Sequence, residues 1–393
     1  MKTLLTLEKR TRSGQVIERR KQYVRSFTQN LMELLYLAHA QITFAAKRDV
    51  TDVRGGIVWS DDERNTSGRN QRANLLVASP GGNSQVWVSA EGGSSSINPS
   101  PQTLLAGEVI GIQVGSGNAP VTPQDVKLAS RIPHGQRAPI NVVTSLESVL
   151  VGDTGSDGMD NSSYKGFYWM PTRQMTVYSI KLLLYRSGTP GTLSYHFKPA
   201  HMKNGTNYPP EMYTWNVLAT ASTNGDTLPT GTPYEWREFV LSTPVTVVPG
   251  LGYIFWGIKS GSGSAYRRLN TANSAAYANP RTLDTYGGTY WNDKSPVYDI
   301  LGTTPREIEY GPCEVSGLRV ANPTAEFIIR RLFTNNSGGD VTVEECGIYA
   351  GCGWRPEYGS SFPLCICRDV VAPALNVADG EVLAITYIPQ ITV

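Results

Sequence analysis

VIGIQVGSGNAPVTPQDVKLASRIPHG, residues 109–135, is the segment from which the fold of this chain is read. It opens as an apolar strand, 109–114, and breaks at Gly115-Ser116-Gly117-Asn118, where glycine supplies positive φ without steric cost. Pro120 and Pro123 fix an extended link, 124–128 is expected to make one short helical turn, and Pro133-His134-Gly135 closes the segment. A strand, a glycine turn and a short capped turn suit a rigid loop laid on a sheet.

Working outward, the whole chain is expected to be mainly β. It has 393 residues, enough for two or three domains. Only 17% of them are charged, while Gly (39), Pro (25) and Tyr (20) are plentiful, and short apolar runs are broken by turn residues. A net charge of +2 gives no general reason to expect nucleic-acid binding. No run approaches the ~20 apolar residues of a membrane-spanning helix, and the first residues lack the apolar core of a signal peptide. Five cysteines, Cys313, Cys346, Cys352, Cys365 and Cys367, suit reduced thiols and a chain assembled in a cytoplasm.

Residues 3–21 read as a β-hairpin turning at Ser13-Gly14. Residues 23–42 read as the one long helix, with Phe27, Leu31, Leu34, Leu35, Ala38 and Ile42 on one face. The basic cluster Arg19, Arg20, Lys21 and Arg25 is expected to be a solvated, salt-bridged face. Composition shifts after residue 140, and an acidic glycine stretch holds Asp153, Asp157 and Asp160. These carboxylates are oxygen ligands of the kind calcium takes, but their spacing is not that of an EF-hand. The expectation is therefore no cofactor, with calcium as the alternative.

The division read from these features is a base domain in two pieces, 1–145 and 304–393, a linker over 146–160, and an inserted β-sandwich over 161–303. In the insert, strands are expected at 167–170, 176–185, 191–198, 216–220, 235–243 and 252–259. After it, 318–332 and 341–349 are expected to pair as a hairpin around Asn335-Asn336-Ser337-Gly338-Gly339, and 380–393 to form a last strand.

Two resemblances add to this. Gly115, Gly117, Val121, Asp125, Leu128, Ile132 and Gly135 resemble the G-x-G-x-x-x-V-x-x-x-D-x-x-L-x-x-x-I-x-x-G segment of tailed-bacteriophage virion structural proteins, tail or capsid-associated. Residues 327–349, FIIRRLFTNNSGGDVTVEECGIY, resemble the R-x-F-T-N-x-S-G-x-x-I-T-V-x-E-V-G-L-Y hairpin of the same proteins, with Cys346 and Ile348 in place of Val and Leu. The insert resembles carbohydrate-binding-like jelly-roll modules of phage and bacterial surface proteins. The matching pieces are 179–191, Trp236-Arg237-Glu238-Phe239, 249–255 and 286–291.

The resemblances imply a structural component of a virion. The base would mediate assembly into a symmetric homo-oligomer with other virion proteins. The outward jelly roll would bind host-surface glycans or neighbouring subunits, with a tail or adsorption role favoured over a capsid decoration or head spike. Aromatic rings and polar side chains gathered at one end of the sandwich are the expected glycan site: Tyr266, Arg267, Tyr286, Tyr290, Trp291, Asn292 and Asp293, with Arg268 beside them. Trp236 and Trp256 are expected in the core, and Trp291 either there, in a subunit contact or in the site.

Residues for catalysis are not singled out. His39, His134, His196 and His201 lie in no metal or triad pattern, and no Walker or G-x-S-x-G motif occurs. Asp284, Asp293 and Asp299 do not stand out as the carboxylate pair of a glycosidase, so a polysaccharide-degrading enzyme is the lesser rival and no enzyme is expected. Cys365 and Cys367, at i and i+2 of a strand, are expected on one face, as buried thiols rather than, with Cys346 and Cys352, a zinc site.

Overall fold

The computed structural model describes residues 2–24, 27–32, 50–51, 53–54, 57–59, 73–76, 86–88, 109–150, 156–159, 164–199, 217–231, 233–270, 281–285, 290–292, 295–354 and 360–392. They are mainly β, arranged as antiparallel sheets. The chain forms two compact units: residues 1–53, 57–139 and 305–393 in one, and 54–56 with 140–304 in the other.

The discontinuous unit holds two five-stranded sheets and a short two-stranded one, Val50–Thr51 with Ile57–Trp59. The first runs, edge to edge, Val16–Val24, Lys2–Arg10, Val382–Thr392, Thr324–Thr334, Glu309–Ala321. The second holds Ser360–Val377 beside Val341–Trp354, whose far side pairs with Gly111–Gly115 and Ala73–Leu76, and Val86–Val88 continues from the latter. Alternate residues of each sheet, among them Leu5, Leu7, Phe333, Val343, Ile348, Leu383 and Ile385, are buried. Cys346 Sγ meets Tyr387 Oη at 3.1 Å, a contact that joins the two sheets. The free edge of the 360–377 strand is covered: Thr28 N donates to Ile366 O, and Gln22 Nε2 donates to Val370 O at 3.2 Å.

Three expectations for this unit are corrected. Tyr23 and Val24 belong to a strand and Phe27 bridges to Cys367, so the helix starts only at residue 29; its course past 32 lies outside the described residues. Residues 124–128 form turn and irregular chain instead of a helical turn: Asp125 N donates to Thr122 O, and the Asp125 carboxylate accepts from Thr122 N and Oγ1 and from Arg368. Residues 318–332 and 341–349 do not pair: the Asn335 turn carries the chain from one sheet to the other. Its buried Asn335 side chain donates to Gly339 O and Val377 O at 2.8 and 2.7 Å, and its Oδ1 accepts from Ser337 N and Oγ. Of the basic cluster, Arg19 pairs with Glu8 and Arg20 with Glu18, both at 2.6 Å, and Lys21 is exposed.

The inserted unit is sandwich-like. One sheet runs Ala219–Asn224, Thr192–Pro199, Tyr253–Lys259, Tyr164–Trp169, Arg281–Thr285, Tyr290–Asn292. The other centres on Met175–Ser187, flanked by Glu235–Val247 on one side and by Tyr298–Thr304 and Ser264–Asn270 on the other. Successive strands cross between the sheets at most connections. Tyr195 stacks on Phe255 at 4.5 Å and meets Phe239 of the opposite sheet at 4.6 Å, so aromatic rings fill the space between the layers.

The expected linker is partly strand. Ile140–Val149 pairs with Tyr298–Thr304, and Ser156–Met159 pairs with Ser264–Asn270. The unit thus begins and ends on neighbouring strands, with Ile140 N donating to Thr304 Oγ1 at 3.2 Å. None of the described helices is long and apolar enough to cross a membrane.

Candidate functional site

The two signature segments meet. Gly111–Gly115 lies in register against 345–349, with Gly115 opposite Glu345. Glu345 is fully buried. Its Oε1 accepts from Gly117 N at 3.2 Å and Ser130 N at 2.7 Å, and its Oε2 from Ala129 N at 3.0 Å and Arg368 Nε at 2.8 Å. Arg368, 2% exposed, reaches on to Asp125 Oδ2 at 2.7 Å and Ala119 O at 2.9 Å. One guanidinium therefore sits between two carboxylates, and the rest of the Glu345 charge is spread over three backbone N–H groups.

Burial works against the Arg368 charge, but the two carboxylates outweigh it and hold the group protonated. Burial raises the Asp125 pKa, and the bonds from Thr122 and Arg368 more than reverse that, leaving it below the ordinary value.

This clasp accounts for the spacing of the first motif. A Cβ at Gly115 or Gly117 would lie 2.5 or 2.6 Å from Glu345 Oε1, so both positions need glycine. Leu128 N donates to Tyr349 Oη at 2.8 Å, Ile132 N to Val114 O at 2.9 Å, and Gly135 N to Ile308 O at 3.1 Å. His134 holds the loop end by accepting Tyr310 N on Nδ1 at 2.9 Å. Val121 makes none of these bonds. The clasp is closed on itself and fastens the loop to the sheet.

The open surface with binding character lies on the outer face of the insert. Leu183 pairs with Trp236, and Tyr185 with Tyr266. Tyr185 stacks on Tyr266 at 4.7 Å with 8° between planes and takes Tyr234 edge-on at 4.8 Å. Arg268 lies 5.0 Å over the Tyr234 ring. Trp236 is 38% exposed at the end of this row, with Lys181 and Glu238 paired beside it. This is an aromatic platform edged by charge, the kind of surface that stacks on a flat apolar face and hydrogen-bonds at its rim.

The residues picked from the sequence divide. Tyr266 belongs to the platform, but its ring is flanked by Tyr185 and by Gly158, where a Cβ would come within 2.7 Å of it. It supports the row and has no open face. Arg267 points the other way, 1% exposed, and donates to Gly166 O at 2.6 Å, because it sits opposite the inward Leu184. It is a core residue.

Tyr290, Trp291 and Asn292 form an edge strand of the opposite sheet, in register with Asp284, Leu283 and Thr282. Tyr286 and Asp293 lie outside the described residues, as do Asp153 and Asp160; Asp157 is in a strand opposite Arg267.

The sequence reading missed Trp236, Tyr234 and Tyr185, having assigned Trp236 to the core. The signal was present: in EWREFVL the inward Phe239 and Leu241 set the parity, which turns Val240 and Glu238 outward and Trp236 with them.

The cysteines also differ from expectation. Ile348 pairs with Cys367 but Tyr349 with Cys365, so Ile366 is a bulge. It places Cys365 on the face of Tyr349, toward the clasp, and Cys367 on the face of Ile348 and Cys346. Burial pushes all of these thiols up in pKa. Among the described residues no group of three or more metal-ligating side chains is assembled.

No protein-family model matches the chain, and no curated protein matches it.

Proposed function

We propose that this chain is a structural protein of a tailed-phage virion, in which the discontinuous unit assembles with copies of itself and with other virion proteins. The inserted sandwich, read as a jelly roll, is displayed as a separate module that binds host-surface glycans through the platform of Trp236, Tyr234 and Tyr185. The observation that carries the division of labour is the way the insert begins and ends. Ile140 and Thr304 are hydrogen-bonded neighbours, while the clasp of Glu345, Arg368 and Asp125 closes the other unit using its own residues. Insertions are tolerated where their two ends lie together at a surface.

The virion assignment is supported by the resemblance of 115–135 and 327–349, segments that fold together as one clasp. The glycan assignment is supported by the exposed Trp236 ring beside the half-buried Tyr185 and Tyr234, with Arg268, Lys181 and Glu238 at the rim. The alternation of strands between two sheets supports the jelly-roll reading. The test is to image particles labelled with an antibody against residues 161–303, alongside a glycan array probed with the wild-type chain and Trp236→Ala. Label at the tail or its tip with glycan binding lost in the variant is expected. Label spread over the head would make this a decoration protein, and equal binding by the variant would remove the platform from the reading.

A further inference from the structure

The strand Glu309–Ala321 is the outermost of its sheet. The approach to it and its first residues are tied down: His134 bridges to Ile308, Tyr310 N donates to His134 Nδ1, and Tyr310 Oη donates to Ile132 O. From Glu314 to Ala321 every residue is exposed, and no strand pairs with its outer side among the described residues. Three of these residues are large and apolar, Val315 at 37%, Leu318 at 77% and Val320 at 77% exposure. The opposite edge of the same sheet is tied to the second sheet through Gln22 and Arg20. An open strand edge carrying apolar side chains is a template for another strand.

The charges select the occupant. Glu314 and Arg319 bracket Val315-Ser316-Gly317-Leu318. Laid antiparallel on its own copy, with the two-fold axis between Ser316 and Gly317, the segment sets Glu314 against the partner's Arg319 and Val315 against the partner's Leu318. Each pair forms twice. A parallel arrangement would oppose like charges. The Arg319 side chain is 73% exposed and lies 3.9 Å from Glu326, a loose pair that leaves it free to turn. The register slip between Ser316 and Arg319 bends the strand at the axis, which confines the contact to this short stretch and favours a closed pair over an extended run.

We propose that 314–321 is a two-fold contact between copies of this chain. The proposal rests on the reading of the chain as a self-assembling structural protein and names the surface used. The test is sedimentation of the full chain over a concentration series. Glu314→Arg and Arg319→Glu each create two like-charge pairs and are expected to weaken self-association roughly tenfold or more. The double exchange, Glu314→Arg with Arg319→Glu, is expected to restore it, which a change that merely disturbs the strand would not do. All these side chains are exposed and their pairs within the chain, Arg319 with Glu326 and Glu314 opposite Arg330, are weak, so unfolding curves are expected to shift only slightly, and Leu318→Ser gives a second, uncharged test in the same direction.

An oligomer that persists in both single variants overturns this contact and leaves the assembly reading standing. A wild-type chain that stays monomeric at all concentrations, and binds through this edge to a different virion protein or to nothing, overturns the contact and removes self-assembly from the broader reading.

Discussion

Glu345→Gln keeps the size of the side chain and removes its charge, and it is the sharpest probe of the clasp. Two oxygens now serve four donors, the N–H groups of Gly117, Ala129 and Ser130 and Nε of Arg368. A glutamine has one acceptor oxygen. Whichever way its amide turns, its NH2 faces two buried donors that it cannot serve. Each such donor costs about 1–3 kcal/mol, and breaking a buried ion pair from one side costs about 3–5 kcal/mol, so a loss of roughly 3–5 kcal/mol is expected. For a unit of this size that is a fall of about 2–4 °C in Tm per kcal/mol. The assay is denaturant unfolding combined with amide hydrogen exchange. Protection at Gly117, Ala129 and Ser130 is expected to fall first and furthest. A loss under about 1 kcal/mol with these three amides still protected would refute the claim that Glu345 fastens the loop.

Asp125 gives the clasp an acid limit. Its folded pKa lies below the ordinary carboxylate value, so its contribution is present above about pH 4 and lost as pH falls through the lower folded value; exchange at 117–130 followed against pH is expected to show this, less steeply in Asp125→Asn. Trp236→Ala is expected to change stability by less than about 1 kcal/mol and to abolish glycan binding, whereas Arg267→Ala, which empties a buried site, is expected to cost about 2–4 kcal/mol, both read by unfolding curves. Cys313, Cys346, Cys365 and Cys367 are buried, and burial raises their pKa values, so a thiol reagent is expected to leave them unmodified until the chain is unfolded.

Much of the fold was legible because alternation and turn residues speak locally. Ser13-Gly14 marks the first hairpin, and the alternation through Val177, Ile180, Leu182 and Leu184 marks the central strand of the insert. The strand-to-glycine break at 114–117 does lie on a sheet, but the glycines are imposed there by contact with Glu345 and not by positive φ. What failed was non-local. The Asn335 turn announces a change of direction, but turn chemistry does not say whether the next strand returns to its neighbour or crosses to another sheet. A single bulge at Ile366 separates Cys365 and Cys367, expected on one face, onto opposite faces. The glycan residues were chosen as loop residues, yet Tyr266 and Arg267 lie in a strand, where parity sends one outward and the other into the core. Gathering Tyr185, Tyr234 and Trp236 required knowing which strands are neighbours, and no spacing in the chain carries that.

The central claim is that one unit is a self-contained assembly scaffold and the other a displayed module. It is tested most directly by replacing residues 140–304 with a short Gly/Ser linker and measuring incorporation of the shortened chain into particles. Incorporation at the wild-type level, with protection retained at Gly117, Ala129 and Ser130, is the result this account predicts. A folded, clasped remainder that no longer enters particles would contradict it and place the assembly function in the insert.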